Sequence, residues 1–359
     1  MRGCRVVTTS LSARLLLARQ LAAIDDVEWT VVSGDDYDDA PPAIDVVVVR
    51  MRREPSWSDL GSFFSLVRFF RHNRFDFVQT HTPKASFLAL PAARLARQRA
   101  LYTVHGSLYF SGNGRLANLL GWCFERWCCA WADGVLVQSR EDEEVMPAAR
   151  LCRAGKLSFV GNGIDVEHFA TPVPPALPAG RPVVLMVSRL VADKGCRDFI
   201  ALARKLSDVA DWVHVGPTEH DQRDALSTSE ISAASDVVRF VGPVDDVRPY
   251  LASATVAVLP SYREGIPRAA MEAAVAGVPV AAYDIRGVRE VIPPGSGLLA
   301  RRGDIEGLAS VVRRLLEDED RRSRAADDCR GRVLEQFSES EVVARLRRVY
   351  RDLDATAEA

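Results

Sequence analysis

The chain has 359 residues, enough for about two ordinary domains, and 48% of them are hydrophobic, enough to build a core in each. Disorder and fibrous structure are excluded on those grounds, and 46 Lys/Arg against 48 Asp/Glu leave a formal charge of −2 that points to no nucleic-acid partner. Only four of the basic residues are lysines, at 84, 156, 194 and 205, so a lysine retained in this arginine-rich background invites attention. Seven cysteines, odd in number and without a CxxC pair, suit reduced thiols in a cytosolic protein. The opening MRGCRVVTTS runs directly into a strand-like segment with no separate apolar leader core. No run approaches the roughly 18 to 20 apolar residues of a spanning helix. The expectation is a cytoplasmic chain whose membrane contact, if any, is peripheral.

In chain order, β-branched runs at 4–9, 27–32, 45–50, 75–80, 100–104 and 134–139 predict strands, with helical periodicity between several of them, as at 11–22 and 59–75. Alternation of this kind implies parallel sheet covered on both faces. The segment 171–182, TPVPPALPAGRP, supports neither helix nor central strand and reads as a linker. The alternation then restarts with strands at 181–188, 211–216, 236–242, 254–260 and 277–283, and 338–355 reads as an amphipathic helix. The division expected is one α/β domain over 1–170, a hinge over 171–182, a second α/β domain over 183–338 and a terminal helix over 339–359, packing back on the first domain. Two open parallel sheets bind ligands beyond the carboxyl ends of their strands, which predicts a site in a cleft between the domains.

The most informative stretch runs from Pro260 to Ile292. An apolar strand is followed by a loop containing Glu264, Gly265 and Ile266, then by a helix entered through Pro267, where a missing N–H costs nothing. Gly277 and Pro279 stop that helix. A strand end, a glycine loop and a helix N-terminus suit a diphosphate. Glu264 and Glu272 would repel phosphate and are expected on neutral hydroxyls of a sugar and a ribose. Arg189 and Lys194, following the strand at 181–188, supply two cations, and the compact lysine ammonium suits diphosphate as a point charge.

Arg189 and Lys194, the EGxP loop and the E-x7-E pair together resemble the donor site of retaining family-four glycosyltransferases of the GT-B fold, an α/β architecture of two Rossmann-like domains. NGIDVEHF at 162–169 and the run from Gly242 into the donor loop extend the likeness over nearly the whole chain. THTPKA and TVHG in the first half resemble the subgroup that builds capsular and lipid-linked polysaccharides. The resemblance implies that Arg189 and Lys194 hold the donor diphosphate and stabilise the leaving group. Glu272 would bind ribose, Glu264 would lie near the transferred sugar, and Gly265, Ile266 and Pro267 would bring backbone close to sugar and phosphates. His105 would contact the sugar or phosphate, and His81 would shape the acceptor side.

The activity implied is retaining transfer from a nucleotide-sugar, a UDP-hexose or UDP-N-acetylhexosamine, to a saccharide or polyprenyl-diphosphate-linked acceptor in bacterial surface polysaccharide synthesis. The enzyme would work in the cytoplasm or at the inner face of the plasma membrane. The nucleotide-sugar is a substrate, so no resident cofactor and no metal is expected. The sequence departs from the family pattern in reading TTSLSARLL after the first strand, where a glycine pair is common, although Thr9 to Ser12 can form a polar turn and helix cap. Two rival readings are a UDP-sugar epimerase of similar fold and a noncatalytic sugar-nucleotide-binding subunit.

Two other stretches bear on partners. DDYDD at 35–39 reads as solvated acids rather than a metal site, and no His/Cys cluster has zinc spacing. Segment 57–75 carries Phe63, Phe64, Val67 and Phe70 at helical spacing among arginines, a pattern of core packing that also suits an anionic membrane. Between Lys84 and Arg126 six Lys/Arg face a single Glu125, near Leu119, Trp122, Phe124 and Trp127, which fits either a lipid-diphosphate acceptor or a buried helix.

Overall fold

The computed structural model describes residues 1–38, 40–52, 54–110, 114–219 and 224–355. The chain divides into two compact units, Met1–Asn162 with Ser340–Ala359 and Gly163–Glu339. The strands of the first unit are β1 (Arg2–Val6), β2 (Glu28–Ser33), β3 (Asp45–Val48), β4 (Phe77–Thr80), β5 (Ala100–Val104), β6 (Gly134–Val137) and β7 (Leu157–Phe159). Its helices up to Asn162 are α1 (Ser10–Leu16), α2 (Ala18–Ala23), α3 (Ser58–His72), α4 (Pro83–Leu95), α5 (Arg115–Trp131) and α6 (Arg140–Ala148). The sheet is parallel throughout, in the order β3-β2-β1-β4-β5-β6-β7. The order reverses between β1 and β4, the topological switch point at which open α/β sheets bind ligands.

The second unit repeats the design. It holds α7 (Val166–Ala170), β8 (Val183–Val187), α8 (Cys196–Leu206), β9 (Asp211–Val215), α9 (Thr228–Ser232), β10 (Val238–Gly242) and α10 (Arg248–Leu251). Then come β11 (Val256–Leu259), α11 (Arg268–Val275), β12 (Val280–Asp284), α12 (Val288–Val291), β13 (Leu299–Arg301), α13 (Ile305–Glu317) and α14 (Glu319–Phe337). The strands form a second parallel sheet, β10-β9-β8-β11-β12-β13, with its switch point between β8 and β11. The proline-rich segment 171–182 lies along this unit. Among its residues with an N–H to donate, Ala176 bonds the Pro249 carbonyl at 2.8 Å and Leu177 bonds Ser253 Oγ at 3.0 Å.

Helix α15 (Glu339–Ala355) packs on the first sheet, where Val342, Val343, Leu346 and Tyr350 join Trp29, Val31 and Phe77 in one apolar cluster. Tyr350 stacks on Phe77 with ring centroids 4.4 Å apart. Its hydroxyl accepts from the fully buried Arg5 at 3.0 Å and donates to Gln79 at 2.6 Å. Arg5 also donates to Gln20 at 3.0 Å and lies over the Trp29 ring, so its desolvated guanidinium is met by neutral acceptors and a π face.

The predicted strands are present and most are one or two residues shorter at an end; β1 and β12 are displaced, to Arg2–Val6 and Val280–Asp284, β2 is shifted by one residue and β5 keeps its bounds, and the structure adds the three-residue edge strands β7 and β13. The periodicity at 11–22 predicts one helix, whereas the chain bends at Leu17 between α1 and α2. The ladder continues across the bend, with Leu17 N–H bonded to Ala13 O and Leu21 N–H to Leu17 O, both at 2.9 Å. Thr9 caps α1, accepting the Ser12 N–H at 3.3 Å, as the polar turn predicts. Within DDYDD, Asp35 accepts from Ser10 N–H and from Ser33 Oγ, Asp36 pairs with Arg50 at 3.4 Å, and Tyr37 is buried. Asp39 lies outside the described residues.

Candidate active site

In the second unit the loops that leave β8 and β11 are fastened side by side at the switch point. Tyr262 N–H donates to the Asp193 carbonyl at 2.8 Å, and Arg263 reaches Asp193 at 3.6 Å. Gly195, in the left-handed region at φ +73°, sits where a Cβ would strike the Pro260 carbonyl, so only glycine brings the start of α8 this close to the end of β11. Below them, Asp198 on α8 accepts from the hydroxyls of Tyr262 at 2.8 Å and Tyr283 at 2.6 Å, locking the base of the loop that leaves β11.

On that frame stand the two cations. Lys194 ends a single helical turn over Ala192–Lys194, and its ammonium lies 2.7 and 2.8 Å from the two Glu264 oxygens. Glu264 is the more buried partner, its side chain 8% exposed against 22% for Lys194. Arg189 pairs instead with Glu219, from the loop after β9, at 2.7 Å. Each cation expected on phosphate is thus met by a carboxylate of this chain, and Glu264, expected on neutral hydroxyls, meets a lysine.

Gly265, Ile266 and Pro267 carry the loop into α11. Pro267 is its N-cap, one position before the first helical residue, and Ile266 is buried. The N–H groups of Arg268 and Ala269 have no backbone partner among the described residues, which is the usual state of a helix start open to an anion. Gly287, at φ +82° before α12, holds the loop from behind, since a Cβ there would strike the Gly265 carbonyl oxygen.

Glu272, on α11, lines a cavity of about 330 Å³ at the carboxyl ends of β8, β9 and β10, with Ser188, Gly216, Pro217, Pro243 and Asp246 among the other walls. Burial raises the Glu272 carboxyl above its ordinary range, opposed by the charge of Arg268, whose Nε lies 3.8 Å away. A larger cavity of about 540 Å³ opens at the amino ends of the same strands; there Arg181 and Asp211 pair with each other at 3.1 Å. The smaller one lies on the side where open α/β sheets bind ligands, and its size suits a nucleoside.

In the first unit two histidines stand at the ends of adjacent strands. His81 follows β4 and is buried, His105 follows β5 and is half-buried, and His81 Nδ1 lies 3.1 Å from His105 Nε2. Burial lowers the pKa of His105 to about 4, with the Arg5 charge adding to it and a hydrogen bond to Gln138 opposing. Burial, Arg5 and His105 push His81 well below its ordinary value. The facing nitrogens are at hydrogen-bond distance, with the donor set by the tautomer, and among the described residues His81 Nε2 has no partner. Across the switch point, Thr8 and Thr82 hydroxyls meet at 2.6 Å.

Glu125 is fully buried rather than facing the nearby basic residues. Its carboxylate accepts from Tyr102 Oη at 3.0 Å and from the Leu108 N–H at 2.7 Å, and so ties α5 to the loop after His105. Trp122 is half-buried and donates to the Ala149 carbonyl at 2.9 Å, whereas Leu119 and Trp127 are exposed. Among the described residues, no group of three or more His, Cys, Asp or Glu could hold a metal ion.

A family model described as glycosyl transferases group 1 matches residues 181–318, and one described as glycosyltransferase family 4 matches residues 15–168. The chain is a family-four glycosyltransferase. The glycosyltransferase has the GT-B fold. The solved sucrose-phosphate synthase from Thermosynechococcus elongatus aligns with a TM-score of 0.83 at 21% identity, over 99% of this chain and 100% of that one. Among curated relatives, the N,N'-diacetylbacillosaminyl-diphospho-undecaprenol alpha-1,3-N-acetylgalactosaminyltransferase of Campylobacter jejuni is 25% identical over 94% of each chain. The UDP-Gal:alpha-D-GlcNAc-diphosphoundecaprenol alpha-1,3-galactosyltransferase of Escherichia coli is 25% identical over 82% of this chain and 80% of its own.

Glu219, Asp198, Gly287 and Glu125 of this glycosyltransferase escape a reading of sequence motifs. Glu219 stands four residues beyond the end of β9, in GPTE, the only local sign of its place. Glu125 is a lone acid in the apolar run WCFERWCC, a position that signals a buried, bonded carboxylate.

Proposed function

We propose that this glycosyltransferase moves a sugar from a UDP-hexose or UDP-N-acetylhexosamine to a hydroxyl of a glycan carried on a polyprenyl diphosphate, with retention at the anomeric carbon. The observation that carries the reading is the gathering of Arg189, Lys194 and Glu264 on two fastened loops at the sheet's switch point, with Glu272 on a cavity of about 330 Å³ in the same unit. The printed names of the Campylobacter and Escherichia relatives support a diphospho-undecaprenol acceptor, and the second supports a UDP-linked donor.

In this reading diphosphate oxygens replace Glu219 on Arg189 and Glu264 on Lys194, and the two cations stabilise charge on the departing nucleoside diphosphate. Glu264, released from Lys194, accepts from hydroxyls of the transferred sugar. Glu272 accepts from the ribose hydroxyls, and the backbone of Gly265, Ile266 and Pro267 lies along sugar and phosphates. Neutral His105 bonds the sugar or phosphate without adding charge, and His81 fixes its ring and shapes the acceptor side. The bond from the anomeric carbon to the phosphate oxygen breaks, and the acceptor oxygen bonds that carbon on the same face. The acceptor proton passes to the leaving phosphate oxygen. No side chain is assigned as nucleophile, and no resident cofactor or metal enters the reading. A polyprenyl acceptor is anchored in a bilayer, so the enzyme is expected at the cytoplasmic face of the membrane.

The test is nucleoside-diphosphate release from a panel of UDP-, GDP- and ADP-sugars with a polyprenyl-diphosphate glycan, with mass analysis of the products. One UDP-sugar should yield UDP and an extended lipid-linked glycan. An isomerised donor would replace the reading with epimerase chemistry, and donor binding without any product would replace it with a noncatalytic subunit.

A further inference from the structure

The transfer chemistry leaves unused a pair of thiols in the first unit. Cys129 lies in the last turn of α5, just before β6, and Cys152 lies in the bend after α6, just before β7. Both therefore sit at the amino ends of the strands, opposite the ends that carry His81 and His105. Hydrogen bonds hold the two elements together. Trp122 of α5 donates to the Ala149 carbonyl at 2.9 Å, and the N–H groups of Leu151 and Cys152 turn back to the Met146 carbonyl at 2.9 and 3.4 Å. Cys129, Met146, Leu151 and Cys152 share one apolar cluster, within which the Cys129 thiol donates to the Cys152 sulfur.

The surroundings of the pair are cationic, which packing alone does not require. Lys156, one of the four lysines, folds back over the end of α5 and donates to the Cys129 carbonyl at 3.3 Å and the Ala132 carbonyl at 2.7 Å. Those carbonyls form the negative end of the helix dipole, which fixes the ammonium beside the thiols. The hydrogen bond from Cys129 lowers the Cys152 thiol below its ordinary value, against burial and with help from the Lys156 charge. The same contact, with burial, raises Cys129. Cys4, Cys128, Cys196 and Cys329 are all raised, chiefly by burial. Cys152 also keeps an exposed edge of 8%, against 3% for Cys129 and 0% for Cys128. An edge of that size admits an oxidant about as small as water and excludes a bulky disulfide.

We propose that Cys152 and Cys129 are a peroxide-reactive dithiol, with Cys152 as the attacking thiolate and Cys129 as the thiol that resolves it into a disulfide. The Cys152 sulfur attacks one oxygen of hydrogen peroxide and the O–O bond breaks. The sulfur becomes a sulfenic acid, and the departing hydroxide takes up the proton that Cys152 lost on ionising, leaving as water. The Cys129 sulfur then attacks the Cys152 sulfur, the S–O bond breaks, and the hydroxyl leaves with the Cys129 proton as a second water. Two thiols are oxidised to one disulfide while one peroxide is reduced to two waters. The new bond fastens α5, one turn beyond Glu125, to the bend after α6. This goes beyond the transferase reading and stands without it, because neither the donor residues nor the histidine pair takes part.

Peptide mapping of the full chain tests the inference. The native protein is treated with hydrogen peroxide and denatured, its remaining thiols are alkylated, and its tryptic peptides are weighed without reduction. Peptide 127–140, which holds Cys128 and Cys129, should appear joined to peptide 151–153, which holds Cys152, and dithiothreitol should release the two. Cys152 should lose its free thiol at least about tenfold faster than the exposed Cys123. The link should persist in Cys128→Ser and vanish in Cys129→Ser, where dimedone should trap the sulfenic acid on Cys152. A Cys152 that is still alkylated once Cys123 has oxidised would overturn the proposal. So would a bond formed within peptide 127–140 alone, or a Cys129→Ser chain that still joins the two peptides. The wild-type map decides the matter even where a variant folds poorly.

Discussion

In the second unit the candidate groups are charged and held by ion pairs between loops, Lys194 to Glu264 and Arg189 to Glu219. In the first they are two uncharged histidines, joined at 3.1 Å and backed by a buried glutamate that ties the neighbouring loop to α5. The same sheet topology thus presents two kinds of surface at its switch point. One is a charged surface whose cations already have carboxylate partners, which in the proposed reading a diphosphate displaces. The other is a desolvated shelf where hydrogen bonding is set by geometry and adding a proton is costly. What distinguishes the units is the chemistry grafted onto the strand ends.

The largest effect is expected at the ion-paired cations of the second unit. Lys194→Ala should lower kcat/KM for the donor about 100- to 1000-fold in steady-state kinetics, the size expected for losing a cation aimed at a leaving group. A value near that of the wild type would remove the phosphate role. Next comes the shelf. Glu125→Ala strands the Leu108 N–H and the Tyr102 hydroxyl and should cost about 2–3 kcal/mol in chemical denaturation, while UDP affinity should stay unchanged because the groups proposed to hold the donor belong to the other unit. If UDP affinity fell in step with stability, the two units would not be chemically separable.

Acid should act on both units through buried histidines. The pKa values of His105 and, in the second unit, His214 fall from the ordinary 6.5 to about 4, in each case chiefly by burial. Above the unfolded value neither state takes a proton. As pH falls from 6.5 towards 4 the unfolded chain protonates and the folded chain does not, so stability is lost through that window. Each residue should contribute about 1–2 kcal/mol between about pH 7 and about pH 5. Denaturation of His214→Gln at those two values should show a shallower fall; an unchanged slope would contradict the buried, neutral histidine.

The smallest effect sharpens the account of the charged surface. Glu219→Gln removes the carboxylate that occupies Arg189 and should tighten UDP binding about three- to tenfold, the worth of an exposed ion pair of ~1 kcal/mol. Weaker binding would mean that Glu219 positions Arg189 rather than competing for it.

Much of this was legible in the residues. The strands were, because fully buried parallel strands are near-continuous Val, Ile and Leu runs. The edge strands Leu157–Phe159 and Leu299–Arg301 were not, because three residues carry no period. Arg189, Lys194 and the segment from Glu264 to Glu272 stand out as charges and glycine placed just after apolar strands. Their partners do not. Glu219 meets Arg189 from 30 residues away, and Gly287 supports Gly265 through a backbone contact that leaves no mark on the side-chain pattern. The exposed leucines of α5 are also ambiguous in sequence, since the same spacing describes a buried stripe until the structure shows which side faces the sheet.

In the proposed function Arg189 and Lys194 together hold a nucleoside diphosphate. Isothermal titration of UDP into the wild type and into the Arg189→Ala/Lys194→Ala double variant, with folding checked by circular dichroism, tests it most directly. The wild type should show one UDP site per chain, and the variant should lose affinity by about 100-fold or more. A folded double variant that binds UDP as tightly as the wild type would contradict it.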